Sequence, residues 1–489
     1  MRARFLVRCL LGASLAVALS AGARAESPGA GPGEEPAPSA AEAADAAEAA
    51  EVDAAECAPD LAPPERAPAE PPLVEPPPAE PSEAAGTPEP PAPGPPVAEP
   101  ASAPPSPAAP PQRRGLWVLC EGSQRVLEHP ERLDALLADA RDLAVTDLFV
   151  QVYRGGRAWF PSRMADPSPH ARLWRGEDGR DALAVLIERA HAAGLRVHAW
   201  VNVLSLASNA EAPVLAGLGP GAAAVDQKGR SILSYPGFDL PPPDRSYYRV
   251  GTPAVWLDAA APGVAEWQAE TFVELLLAHP ALDGLHLDYV RYPDVLPFIP
   301  GLRFGVGLSF GFGEASRARF QQETGLPAPF GDTLAHANRF DDWRREKLTE
   351  LVALVGERAR AARPGLLVSA AVVADRERAY QVDFQHWAGW LDRGLLDFAV
   401  PMLYTLDAEL LRHGVEALAG LARTRALWVG LGSWLFADEP EAAVAQLRAV
   451  AAEPSLGSAL FSWDSIHDAP ALRDALAAEV RADAPALPR

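Results

Sequence analysis

The sequence predicts an α/β fold, a (β/α)8 TIM barrel, from three observations. From about residue 113 onward, short apolar strand-like runs alternate eight times with helical apolar periods. Each run ends in polar, aromatic or ionisable residues, as parallel barrel strands do where their carboxyl ends open onto a shared pocket. No glycine-rich dinucleotide fingerprint follows the first run, which sets aside an open doubly wound sheet.

Ahead of the barrel, residues 1–25 carry Arg2, Arg4 and Arg8, an apolar run from Cys9 to about Ala21, and the triplet Ala23-Arg24-Ala25. This is the layout of a secretory signal peptide with its cleavage site. The run is shorter than the roughly 18 apolar residues of a membrane span. An exported protein is therefore expected, periplasmic or extracellular, with no transmembrane segment. Cys9 precedes the apolar run instead of following it, which disfavours lipid anchoring. Residues 26–112 are rich in Pro, Ala and Glu, with 17 acidic residues against the single basic Arg66, so this segment carries −16 of the net charge of −22. It buries too little to offset its chain entropy and reads as a disordered linker, stiffened by proline. Residues 113–489 form the barrel domain.

Within that domain, strands are predicted at 115–119, 147–153, 196–203, 284–289, 366–372, 396–403, 426–431 and 457–463. Helical periods fall at 130–144, 181–193, 262–278, 338–362, 381–393, 408–423, 439–452 and 469–480. Two insertions, 205–252 and 294–330, follow strands three and four and belong to the face where the strand ends open.

The fourth strand carries the densest chemistry, in Asp283-Gly284-Leu285-His286-Leu287-Asp288-Tyr289-Val290-Arg291-Tyr292-Pro293. Leu285 and Leu287 alternate with His286 and Asp288, which places Asp288 where the strand opens into a loop. Pooling the other strand ends adds Gln151, Tyr153 and Arg154, then Trp200 and Asn202, then Met402 and Tyr404, Ser433 and Trp434, and finally Trp463 with Asp464. Of these, Gln151, Tyr153, Arg154, Trp200, Asn202, Tyr404, Trp434 and Trp463 form, with His286, Arg291 and Tyr292, the candidate substrate-binding set. Aromatic faces with amides between them suit sugar rings, which are apolar on their C–H faces and hydroxylated at their rims. Glu121, Asp375 and Asp407 are further carboxylates at strand ends. Two carboxylates flanking a glycosidic bond need no cofactor, and none is expected.

Other barrel chemistries lack their residues. Lys228 and Lys347 are the only lysines, and neither stands at a strand end for Schiff-base chemistry. His198 and His286 belong to different strands, and no His-x-His pair follows strand one, so no metal site is expected. Cys57 and Cys120, the cysteines after the signal segment, form neither a disulfide framework nor a zinc spacing. No nucleic-acid partner is expected.

The chain resembles the glycosyl-hydrolase-like family 10 of bacterial envelope proteins, formerly a domain of unknown function. The matching pieces are Arg114-Gly115-Leu116-Trp117, Phe149-Val150-Gln151-Val152-Tyr153-Arg154-Gly155-Gly156, His198-Ala199-Trp200-Val201-Asn202, Trp256-Leu257-Asp258, the strand-four stretch, and Val400-Pro401-Met402-Leu403-Tyr404. In order and spacing they cover about residues 113–465. The xylanase family of similar name differs, ending its fourth strand in a catalytic Glu where this chain has Asp288. The resemblance implies a barrel hydrolase of polysaccharide associated with the cell envelope, peptidoglycan strands stripped of their peptides included. It implies Asp288 as nucleophile or charge-stabilising group. Asp375 is taken as the second catalytic carboxylate, with Glu121 and Asp407 as competitors. The alternative is a non-catalytic glycan-binding barrel tethered by its linker.

Overall fold

The computed structural model describes residues 112–242, 244–297, 308–327 and 333–483. The predicted signal segment 1–25, all but the last residue of the predicted linker 26–112, and part of the second insertion lie outside the described residues.

Eight parallel strands close into a barrel: β1 (Arg114–Val118), β2 (Asp147–Arg154), β3 (Arg196–Asn202), β4 (Gly284–Asp288), β5 (Leu367–Val373), β6 (Phe398–Met402), β7 (Leu427–Gly432) and β8 (Leu456–Phe461). Each pairs with its neighbours in chain order, and β1 closes the ring by pairing with both β2 and β8. Helices α1 (Glu131–Asp142), α2 (Ala182–Ala192), α3 (Val264–Ala278), α4 (Leu334–Ala362), α5 (Trp387–Asp392), α6 (Ala408–Ala422), α7 (Pro440–Ala451) and α8 (Pro470–Asp483) follow the strands in turn.

The helices obey ordinary amphipathic spacing. α6, for instance, buries Leu411, Val415 and Leu418, at i, i+4 and i+7, on the face turned to the sheet. The helical period expected at 381–393 is the exception, since only its later part is helical, as α5, and a separate short helix, Arg376–Gln381, precedes it. Between them Gln385 reaches the barrel rim, where its Oε1 accepts from Val373 N at 2.8 Å, and Phe384 takes a positive φ of 55°. That anchoring breaks the helix.

The barrel interior is filled by large rings: Trp117, Phe149, Trp200, Phe398 and Trp428 pack there with Ala371, Val400 and Ala459. Such rings fit because small residues face them. A Cβ on Gly115 would come within 2.4 Å of the Phe149 ring, and one on Gly284 within 2.0 Å of His198. At the amino end of the barrel, Asp147 Oδ1 lies 2.9 Å from His198 Nε2 and 2.6 Å from Arg196 Nε. Burial opposes the Asp147 charge, but these partners outweigh it and hold the carboxyl below its usual range.

The two insertions are stitched to each other. Tyr248–Val250, after β3, pairs antiparallel with Val295–Pro297, after β4, and an isolated bridge joins Asp226 to Phe310. Beside them Asp258 is fully buried, with Oδ1 accepting from Tyr292 OH at 3.1 Å and Oδ2 from Ser316 Oγ at 2.7 Å. Burial raises its carboxyl above the usual range, and its hydrogen bonds tie the stretch after β3 to two places in the stretch after β4.

Candidate active site

A cleft opens at the carboxyl ends of the strands, walled by Trp117, Leu119, Gln151, Arg154, Trp200, Asn202, Asp288, Tyr289, Arg291, Ala371, Met402, Tyr404 and Phe461. Strand register assembles it. Asn202 pairs with Asp288, and Gln151 with Trp200, across adjacent strands. Four polar or aromatic groups thus converge from β2, β3 and β4, which neighbour one another in the ring.

Asp288 stands at the centre of this group and is 8 % exposed. Its Oδ2 accepts from Trp200 Nε1 at 3.0 Å, and its Oδ1 accepts from the backbone N–H of Tyr289 at 2.7 Å. The second bond depends on an unusual backbone. Tyr289 has φ of 49°, in the left-handed region that a non-glycine residue enters at a cost of about 1–3 kcal/mol. Both carboxylate oxygens are thereby oriented, and the ring of Tyr289 is turned into the cleft wall. Gln151 is fixed between Cys120, whose Sγ donates to its Oε1 at 3.1 Å, and Asn202, whose Oδ1 accepts from its Nε2 at 3.3 Å. Burial pushes the Cys120 thiol up, so it acts as a neutral donor here.

Two arginines share the cleft wall with Asp288. Arg154 is paired with Glu121 through Nη1, and Glu121 Oε1 also lies 2.9 Å from Arg157 Nη2. Arg291 is 4 % exposed, lies 4.0 Å from the fully buried Asp383, and stacks near the rings of Trp256 and Tyr289 at 5.5 and 5.4 Å.

The structure brings Gln151, Arg154, Trp200, Asn202, Asp288, Arg291 and Tyr404 into one cleft and places the other candidates elsewhere. Tyr153 is buried among the helices, its OH donating to Gln268 on α3 at 3.3 Å. The cause is a register irregularity in β2 between Gln151 and Tyr153. One extra residue reverses the alternation, turning Tyr153 outward and Arg154 inward. His286 lies fully buried below the cleft, its Nε2 accepting from Trp117 Nε1 at 3.2 Å. An indole N–H can only donate, so the imidazole proton sits on Nδ1, 2.8 Å from Ser369 Oγ. Burial, and then the neighbouring His198, hold His286 well below its ordinary pKa, and it is neutral.

Tyr292 points into the Asp258 knot. Trp463 lies beyond the end of β8 and donates to Asp139 Oδ2 on α1 at 3.0 Å. Trp434 backs the wall edge-on to Tyr404, ring centroids 4.8 Å apart.

The carboxylates other than Asp288 also have different work. Asp375 is exposed and caps the Arg376–Gln381 helix, its Oδ1 accepting from Glu377 N and Arg378 N, each at 3.0 Å. Asp407 caps α6 in the same way, accepting from Glu409 N and Leu410 N. Aspartate directly before a helix is a strong cap signal, so this placement was readable in Asp375-Arg376-Glu377 and Asp407-Ala408-Glu409. The expectation that Asp375 joins Asp288 in one cleft is corrected accordingly. Asp464 accepts from Gln124 N at 2.9 Å and holds the loop after β1; burial raises its carboxyl above the usual range.

Trp117, Leu119, Ala371 and Phe461 complete the wall although their sequence context marks them only as strand residues. Trp117 and Leu119 share the inward phase of β1, which was their available signal. Among the described residues no group of three His, Cys, Asp or Glu side chains could hold a metal ion. No described helix is long and apolar enough to cross a membrane.

A closed parallel barrel with a hydrogen-bonded carboxylate, amides and aromatic rings at its strand-end mouth defines a (β/α)8-barrel protein whose candidate site lies where such barrels carry theirs. The chain belongs to the glycosyl hydrolase-like 10 family, whose profile matches residues 112–416. It is 24 % identical over 280 residues to glycosyl hydrolase DigH of Escherichia coli (strain K12), covering 54 % of this chain and 55 % of that one. It is 24 % identical over 296 residues to glycosyl hydrolase YngK of Bacillus subtilis (strain 168), covering 57 % and 50 %. The chain thus spans about half the length of the curated relatives it matches. Among solved structures, a β-galactosidase from the psychrophilic Marinomonas ef1 superposes with a TM-score of 0.49 at 13 % identity, covering 76 % of this chain and 59 % of that one.

Proposed function

We infer that the protein is an exported glycoside hydrolase acting on a polysaccharide of the cell envelope, with peptidoglycan glycan strands as the first candidate, and that Asp288 is the carboxylate at its reaction centre. The observation that carries this reading is the double hydrogen bonding of Asp288, by Trp200 Nε1 and Tyr289 N, at the focus of an aromatic and amide-lined cleft. A carboxylate held in this way is preorganised to attack, or to stabilise, an oxocarbenium-like anomeric centre. The partly exposed ring of Tyr289 offers a face to a sugar, backed by the buried rings of Trp117, Trp200 and Tyr404 in the wall, while Gln151 and Asn202 read hydroxyl groups. The arginine-rich, apolar start of the chain supports export.

A second reading has its own support. Among the described residues that wall the cleft Asp288 is the only carboxylate, and both oxygens of Glu121 are engaged by guanidinium groups. A paired-carboxylate hydrolase has two such groups about 5–5.5 Å apart when retaining and 6.5–9.5 Å apart when inverting. A barrel that binds glycan without cutting it needs neither spacing. Incubation with peptide-free and peptide-bearing peptidoglycan and a panel of polysaccharides, followed by product analysis, separates the two. New reducing ends that depend on Asp288 support the hydrolase; retention of glycan without products establishes the binding module.

A further inference from the structure

We propose that the glycan bound in this cleft bears a carboxylate on the sugar beside Asp288, and that Arg154 is the residue that receives it. The proposal rests on the glycan-cleft reading above and adds the charge of the ligand and the group that selects it.

The wall of the cleft carries two guanidinium groups, Arg154 and Arg291, against one carboxylate, Asp288. The arginines are not equivalent. Arg291 is nearly sealed off, backed by Asp383 and lying against the rings of Trp256 and Tyr289. Its placement suits it to hold the strand-four loop and the charge of Asp288. Arg154 comes from the end of β2, and its side chain retains 11 % exposure. An arginine has five N–H donors in a planar fork, and the bond from Arg154 to Glu121 takes up Nη1.

Glu121 is in turn held by Arg157, on the two-residue strand that folds back antiparallel onto the end of β2. The fork of Arg154 is therefore fixed from behind by a residue that is itself fixed, the arrangement that preorganises arginine for two-point recognition of a planar anion. The β2 irregularity that turns Tyr153 out is what brings Arg154 in. Arg154 lines the same cleft as Asp288 and Tyr289. A sugar seated on Asp288 thus presents its substituents to Arg154. Carboxylates occur on glycans as uronic acids or as the ether-linked acid of peptide-free muramyl residues, and both present the same planar anion.

The test measures binding with the full chain carrying Asp288→Asn, so that bound glycan is not consumed. Two pairs of probes are used: peptide-free peptidoglycan strands and the same strands with carboxylates converted to methylamides, and oligogalacturonate and its methyl ester. For at least one pair, masking the carboxylates is expected to weaken binding about tenfold or more, and binding of the free acid alone is expected to fall with added salt. Adding Arg154→Gln should weaken binding of that free acid to the level of its masked form and leave the masked form unchanged.

The combination Arg154→Gln with Glu121→Gln, which leaves no unpaired carboxylate behind, should behave in the same way. Equal binding of free and masked forms would overturn the carboxylate assignment while leaving the glycan cleft intact. So would an equal loss for both forms on Arg154→Gln, or discrimination restored in the double variant. Failure of all four probes to bind, with the variant folded, would remove the glycan reading of the cleft and this proposal with it.

Discussion

Replacing Asp288 by asparagine is usually regarded as a near-silent change of shape, but the geometry here predicts otherwise. The carboxylate accepts an N–H on each oxygen, from Trp200 Nε1 at 3.0 Å and Tyr289 N at 2.7 Å. An amide has one acceptor oxygen and one NH2 group, so in either orientation Asp288→Asn sets a donor against a donor. A buried polar group left unsatisfied costs about 1–3 kcal/mol, and that loss of stability is expected in urea unfolding of the variant. Trp200→Phe, which removes the indole donor, should cost a similar amount alone by leaving Oδ2 without that bond.

In the double variant the amide oxygen can serve Tyr289 N while the indole donor no longer opposes its NH2 group. The double cost should therefore fall short of the sum by about 1 kcal/mol or more. Turnover of a verified glycan should drop at least ~10²–10³-fold in Asp288→Asn, the range seen when one preorganised electrostatic contact to a transition state is lost. Additive stability losses would refute the Trp200 contact. Wild-type turnover in Asp288→Asn would refute the assignment of Asp288 to the reaction.

Asp375→Ala should cost about 0.5–2 kcal/mol as a lost helix cap and leave turnover largely intact; a loss of turnover as deep as that of Asp288→Asn would return Asp375 to the chemistry. Asp181 caps α2 and accepts from His279 Nε2 at 3.0 Å; burial opposes its charge, but His279 and the other partners hold its carboxyl below the usual range. A depressed carboxyl contributes stability above its unfolded pKa, near 4, and that contribution is lost as pH falls through its folded value. Asp181→Asn should therefore lower stability at pH 7 and flatten the acid limb of a stability-against-pH curve below about pH 4, and an unchanged limb would contradict the assignment. Gly284→Ala should destabilise by about 1–3 kcal/mol, because the added Cβ would lie 2.0 Å from His198 Nδ1; unchanged urea unfolding would show that the ring can move aside at no cost.

The sequence by itself determined the architecture, because alternation of period-two and period-3.6 apolar patterns is a local property. Seven of the eight helical periods survive as single helices, and every barrel strand lies within about two residues of its expected bounds. It also located Asp288, since a carboxylate that breaks an apolar strand at its carboxyl end opens onto the barrel mouth whatever surrounds it.

What tertiary structure alone decided was the direction of individual side chains. A one-residue irregularity in β2 exchanged Tyr153 for Arg154, and no pattern within β2 encodes it, because the extra residue is defined only against the partner strand. Trp463 left the cleft because β8 ends at Phe461 and the next turn is helical. Tyr292 was drawn away by Asp258, 34 positions earlier in the chain, through a hydrogen bond that exists only once the two loops meet. Asp375 and Asp407 lie between these cases: their cap positions were written in the sequence, but a strand end and a helix start coincide there. Only the observed N–H partners decide which role the carboxylate fills.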